Sequence, residues 1–162
     1  MDLARERGVV QGRKMRVDTT VGETNIHYPT DRSLLGDGAR VLTRTMKKVE
    51  KATGGLKKRI RDRMCSVNKK VMAIALAGRL KGSAGEERRI QRYRELVSLT
   101  RKILHQAEGV LEETQKLASR RRAARLKPLQ EILETMTGRV RQVIGQTKAR
   151  VFQGITSIPI KS

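Results

Sequence analysis

Residues able to do chemistry are sparse in this chain, and their spacing removes most reaction classes. The two histidines, His27 and His105, stand far apart, and the sequence has no HExxH, CxxC or Walker-type glycine loop. Neither a zinc site nor a phosphate loop is therefore indicated. No serine or cysteine sits in a nucleophile elbow. The single cysteine, Cys65, has no partner for an intrachain disulfide and reads as a small, semi-buried apolar residue. One acid stands out. Asp18 lies within KMRVDTTV (14–21), where Met15, Val17, Thr19 and Val21 alternate with Lys14, Arg16, Asp18 and Thr20. This period-two, β-branched pattern predicts a strand. A strand-borne Asp beside a basic body suits a phosphoryl-transfer site with two Mg²⁺ ions, in which carboxylates hold the metals that activate the attacking oxygen and stabilise the leaving one. Taken alone, an aspartate in a strand is more often an edge or turn residue.

Positive charge is the second chemical resource. Lys and Arg number 37 against 16 Asp and Glu, a formal net charge of +21 in 162 residues. Like charges repel across a compact surface, so such an excess points to a polyanionic partner: DNA, RNA or an anionic membrane. The charge is concentrated. Between Ala39 and Gly82, fourteen Lys/Arg face only Glu50 and Asp62. A solvated helix face normally mixes signs, as the later stretch with Glu86, Glu87, Glu95, Glu108, Glu112 and Glu113 does. The candidate DNA contacts are accordingly Arg40, Arg44, Lys47, Lys48, Lys57, Lys58, Arg59, Arg61, Arg63, Lys69 and Lys70. Aromatic residues make up 2% of the chain. Proteins that read single strands stack bases on rings, so double-stranded DNA is the expected partner. No residue pattern identifies base-edge readout, and target specificity is not derivable.

The elements that must carry these groups are mostly helical. Residues 25–31, NIHYPTD, read as a loop, and Ser33 stands where an N-cap would. Leu34, Leu35, Val41, Leu42, Met46 and Val49 keep a helical spacing up to Gly54-Gly55, with Gly36 and Gly38 weakening the first turns. A second helix is predicted over Leu56 to Arg79, with Ile60, Met64, Val67, Val71, Ile74 and Ala75 as its apolar stripe. A third runs from about Gly85 to Ala118, where Leu96, Ile103, Val110 and Leu117 recur every seven residues. The fourth spans about Leu126 to Phe152, with Leu126, Leu133 and Val140, and then Leu129, Met136 and Val143, at the same period. Pro128 suits its first turn. The two seams are expected to face each other in an antiparallel hairpin. The fold class is thus mainly α, a helical hairpin or bundle with a small β element near the amino end. Lys14 to Val21 is expected to be poorly anchored, paired at most with Ile155 to Ile160.

The longest apolar run, Val71 to Ala77, is far shorter than a bilayer span, and Met1 to Gly12 has no apolar segment of the secretory kind. No membrane partner and a cytoplasmic, nucleoid-associated location are the expectation.

The stretch MRVDTTVGETNIHYPTDRSLLGDGARVLTRTMKKVEK (15–51) resembles the segment around the first catalytic Asp of DDE-type insertion-sequence transposases of the ISNCY kind. The helices through RVRQVIGQTKARVFQG (139–154) are similar to that family's helical insert. The resemblance implies a ribonuclease H-like core whose first and second acids are separated by a long helical segment. It makes Asp18 the first catalytic, Mg²⁺-ligating carboxylate. It divides the chain into a core fragment (1–32), a basic helical insert (33–154) and the start of a further core segment (155–162). Gly22 stands where the family usually has Val, which weakens the strand after Asp18, and Arg32 stands where Ser is usual. Asp31 and Asp37 match no catalytic position and read as turn and capping residues. The family's second Asp and its Glu have no counterpart by residue 162. One carboxylate cannot hold two hydrated metals tightly, so this length of chain alone, as a truncated copy, is expected to lack strand-transfer activity.

Two other readings use the same residues. In one, the helices act alone as a non-enzymatic DNA-binding protein, or as an inhibitor that competes for element ends. In the other, the 96–117 and 126–143 seams build a coiled-coil homodimer. That second reading needs neither the charge of 39–82 nor the Asp18 strand.

Overall fold

The computed structural model describes residues 30–57, 59–79, 82–116 and 120–155, with backbone alone for 120–124. The predicted strand around Asp18, Lys58, Leu117 and the segment from residue 156 onward lie outside these residues. Among the described residues the chain is mainly α: α1 (Asp31–Thr53), α2 (Met64–Ala77), α3 (Ser83–Lys116) and α4 (Arg120–Thr147), followed by a π-helical turn, Lys148–Phe152.

Cross-helix contacts define the topology. Along α1, Asp31 meets Arg150 while Gly38 meets Val140, so α1 and α4 run in opposite directions. Gly36 abuts Val71 and Lys47 pairs with Asp62, so α1 and α2 also oppose each other. Lys57, Arg63 and Lys70 meet Glu113, Gln106 and Glu95 in turn, which sets α2 against α3. The result is an up-down-up-down bundle. α1 and α3 touch across its middle, while α2 and α4 flank them without contacting each other among the described residues.

α1 begins at Thr30 rather than Ser33. The Thr30 hydroxyl accepts the Ser33 N–H at 3.4 Å, and the Ser33 hydroxyl donates to the Thr30 carbonyl at 2.7 Å. The earlier start places Asp31 in the first turn, where the helix dipole favours an anion. Gly54, at φ 79, closes the helix in the left-handed conformation. Leu35, Ala39, Leu42, Met46 and Val49 are fully buried. Gly36 and Gly38 are the points where neighbouring helices approach. A Cβ at Gly38 would lie 2.6 Å from Val140 Cγ2, and one at Gly36 would lie 3.2 Å from Val71 Cγ2. Two buried hydroxyls are satisfied within their own helices, Thr43 donating to the Ala39 carbonyl at 2.8 Å and Thr100 to the Leu96 carbonyl at 2.9 Å, whereas the buried Thr147 hydroxyl has no hydrogen-bond partner among the described residues.

The second helix is shorter than the predicted Leu56 to Arg79. It starts at Met64, and the described part of 56–63 is not helical. A helix through this stretch would place Lys57 over Arg61 and Arg59 over Arg63, like-charge pairs at i,i+4 that oppose helix formation. The Asp62 carboxylate, one residue before the N-cap Arg63, instead accepts the Met64 N–H at 2.8 Å and so satisfies one of the free donors at the start of α2. Leu56 and Ile60 still pack against the core from the non-helical segment. Cys65 is exposed rather than semi-buried, because α2 turns Val67, Ile74 and Ala77 inward. Cys65, Met72 and Leu76 share its outer face.

Both heptad seams are in the core. Leu96, Ile103, Val110, Leu126, Leu133 and Val140 are at most 5% exposed, and α3 and α4 form the antiparallel hairpin expected of them. α1 packs on both, so the seams are shared by three helices instead of two. α4 starts at Arg120, so Pro128 lies inside it rather than in its first turn. Arg, Ala, Leu and Lys in 120–127 are strong helix formers and carry the helix upstream of the proline.

Gly38→Ala is expected to lower stability by about 1–3 kcal/mol through overpacking against Val140, although an exposed helical Gly→Ala normally gains about 0.5–1 kcal/mol. Gly109→Ala in α3, which meets open space, is the control and is expected to raise the melting temperature. Thermal unfolding of both variants decides the matter, and a Gly38→Ala gain equal to the control's would refute the close approach.

Candidate nucleic-acid interface

The outward face of α1 follows from its inward one. With Leu42, Met46 and Val49 in the core, Arg40, Arg44, Lys47 and Lys48 recur at three- and four-residue spacing on the other side. Arg44, Lys47 and Lys48 are exposed, and Arg40 is half-buried. Between α1 and α2, Arg40, Arg44, Lys47, Asp62 and Asn68 line a shallow groove of about 280 Å³.

The segment between α1 and α2 projects the next group of cations. Its ends are tied to α3: the Lys57 N–H donates to Glu113 Oε1 at 2.6 Å, and Arg63 Nη1 donates to Gln106 Oε1 at 2.9 Å. Lys57, Arg59 and Arg61 are exposed between these ties. Arg59 and Arg61 line two clefts, one shared with Lys47 and Glu50 of α1, the other shared with Lys102, His105 and Glu112 of α3. On α2, Lys69 is exposed and Lys70 pairs with Glu95 at 2.5 Å.

The candidate contacts thus fall into two groups. Arg40 pairs with Asp37, Lys47 with Asp62 and Lys70 with Glu95, while Arg63 is held by Gln106. Arg44, Lys48, Lys57, Arg59, Arg61 and Lys69 are exposed and make no ion pair among the described residues. This second group is free to neutralise phosphates. Exposed ion pairs of the first kind contribute about 0–1 kcal/mol and yield readily to a competing anion. Lys58 and Asp18 lie outside the described residues.

The acids respond to these neighbours. The Lys47 ammonium and the Met64 N–H hold the Asp62 carboxyl below its ordinary value of 3.8. Lys70, with Arg92, does the same to Glu95. Tyr93 moves the other way: burial raises its phenol, and the nearby Asp31 carboxylate adds to the effect.

Sequence reading missed a further set of cations. Arg94, Arg101 and Lys102 form an exposed ridge of α3 with the His105 ring at its end, and Lys148 stands beside them on the π-helical turn. Glu87, Glu108 and Glu112 stand three or seven residues from these side chains on the same stripe of α3, so the charge pattern of the sequence does not single the ridge out.

Mg²⁺, which the sequence resemblance implies, finds no ligand set in the bundle. Among the described residues no three His, Cys, Asp or Glu side chains converge. Among the same residues no helix is long and apolar enough to cross a membrane. No family model, curated protein or solved structure matches this chain.

Asp62→Asn keeps a side-chain oxygen to accept the Met64 N–H while removing the charge that faces Lys47. Because folding lowers this carboxyl's pKa, its contribution is full above the unfolded value of 3.8 and fades as pH falls through the folded value. The variant is expected to melt below the parent at neutral pH and to converge with it in acid. Melting curves across that range check this, and a gap that is constant with pH would exclude the ion pair as its source.

Proposed function

We propose that residues 30–155 form a duplex-DNA-binding helical bundle, and that the bundle is the helical insert of a DDE-type transposase of the ISNCY kind. In this reading the strand at Lys14–Val21 belongs to a ribonuclease H-like sheet, and Asp18 is its first catalytic carboxylate and a ligand for Mg²⁺. Asp18 contributes one ligand, no three His, Cys, Asp or Glu side chains converge among the described residues of the bundle, and the remaining acids of such a site have no counterpart within residues 1–162. The activity proposed for this length of chain is therefore DNA binding, with phosphoryl transfer assigned to a complete core.

The observation that supports DNA binding is the set of six exposed cations without ion-pair partners among the described residues: Arg44, Lys48, Lys57, Arg59, Arg61 and Lys69. They extend from α1 across the inter-helix segment to α2. Their charges gain little from the protein itself, and each phosphate they contact releases condensed counterions. A non-enzymatic DNA-binding or inhibitory role uses the same surface and differs only in giving Asp18 no task. The coiled-coil homodimer is less well supported, because both seams are in the core of a single chain. A second copy using them would have to displace α1.

The reading is tested by fluorescence anisotropy with a labelled duplex over a range of salt concentrations. The logarithm of affinity is expected to fall linearly with log salt, with a slope of about −0.9 per phosphate contacted. Arg59→Glu with Arg61→Glu is expected to weaken binding and flatten that slope, whereas Asp18→Ala leaves both unchanged. Equal losses in the two variants would contradict the division between a binding bundle and a catalytic strand.

A further inference from the structure

The outer ridge of α3 carries positive charge on the side of the bundle turned away from α1. Leu96, Thr100, Ile103 and Ala107 of α3 face inward. Arg94, Arg101 and His105 are separated from them by about half a helical turn and are exposed. Across a groove of about 460 Å³ they look toward Lys148 and Phe152 of the π-helical turn, with Lys102 beside them. No carboxylate lines this groove among the described residues. Glu108, one turn along α3 from His105, is engaged by Arg141 at 2.5 Å and lies 3.9 Å from His105 Nδ1. Arg94, Arg101, Lys102 and Lys148 make no ion pair among the described residues. The Arg94 guanidinium lies over the Phe152 ring, 5.7 Å from its centroid, which orients this cation at the groove's end.

We infer that this groove is a second phosphate-backbone contact for duplex DNA, separate from the α1 face and on the opposite side of the bundle. The inference rests on the DNA-binding reading above and assigns it a second surface. From Arg94 to His105 the ridge is about 16 Å long, the rise of about five base pairs. A linear polyanion of that repeat fits a row of cations better than a compact anion does. The single ring, Phe152, is covered by Arg94, so the groove offers no open stacking platform of the kind that single strands use. Arg59 and Arg61 stand between the two surfaces and line the cleft that adjoins Lys102 and His105. The α1 face and the α3 groove are thus linked at one edge.

The test compares Arg101→Gln/Lys102→Gln/Lys148→Gln with Arg44→Gln/Lys48→Gln in the full chain. Salt-dependent duplex anisotropy is read alongside thermal melting and binding to phosphatidylglycerol vesicles. The α3 triple variant is expected to melt like the parent and to flatten the salt slope by about 2.7, at about 0.9 for each phosphate no longer neutralised. The two sets share no partner, so their effects on log affinity are expected to add when combined. A parent chain with no salt-dependent duplex binding would overturn the DNA-binding reading itself. Parent binding that the α3 variant leaves unchanged, while the α1 variant weakens it, would overturn this inference alone. An effect of the α3 variant confined to vesicles would assign the groove to a membrane surface and overturn it equally.

Discussion

The bundle depends on how closely α1 can approach its neighbours. Gly38 admits Val140 of α4, and Gly36 admits Val71 of α2. With no side chain at either point, α1 sits deep enough to contact the other three helices, and Leu35, Leu42, Met46 and Val49 are sealed from water. The chain has no Trp and one Phe, and Tyr93 is the one ring among the buried core residues described, so few large rings are available to fill gaps between more widely spaced helices. An aliphatic core of this kind reaches native density only through short interhelical distances. The two glycines therefore do for packing what bulky aromatics do elsewhere.

Electrostatics follows from the same economy of residues. Most of the acids that make long-range contacts join two elements: Asp31 reaches Arg150, Asp62 reaches Lys47, Glu95 reaches Lys70, Glu108 reaches Arg141, and Glu113 accepts the Lys57 N–H. Each fastens a helix or connecting segment to its neighbour. Among the described residues cations outnumber these fasteners, and cations without an ion pair are exposed on α1, on Lys57, Arg59 and Arg61, on Lys69 of α2 and along α3. A protein built this way keeps a large positive charge without placing unpaired cations in its core.

The helices and their core faces were largely legible in the sequence, because heptad spacing is a direct consequence of helical geometry. Leu96, Ile103, Leu133 and Val140 are buried as that spacing requires. What failed depended on tertiary context or on competing local bonds. Thr30 outcompetes Ser33 as the cap because its hydroxyl and carbonyl both engage Ser33. Asp62 starts α2 late by accepting the Met64 N–H. Cys65 was misjudged because composition cannot say which face of α2 meets solvent. Gly36 and Gly38 resembled helix weakeners, since nothing local announces Val71 and Val140. Of the candidate site, the α1 and inter-helix cations were legible as a charge run, while the α3 ridge was masked by Glu87, Glu108 and Glu112, which recur on its own stripe of the helix. Asp18, the residue with the sharpest chemical expectation, falls outside the described residues.

The ion pair between Asp31 and Arg150, 3.2 Å long, has a topological meaning. It joins the first turn of α1 to the π-helical turn that follows α4, so the bundle's two ends lie side by side. A host domain in which such a bundle interrupts a loop sees two nearby attachment points. The long stretch between them adds little closure entropy, because the bundle has already brought its own ends together. Such a unit can be accommodated within a sheet-based domain without separating the strands on either side of it, as domains with adjoining termini commonly are.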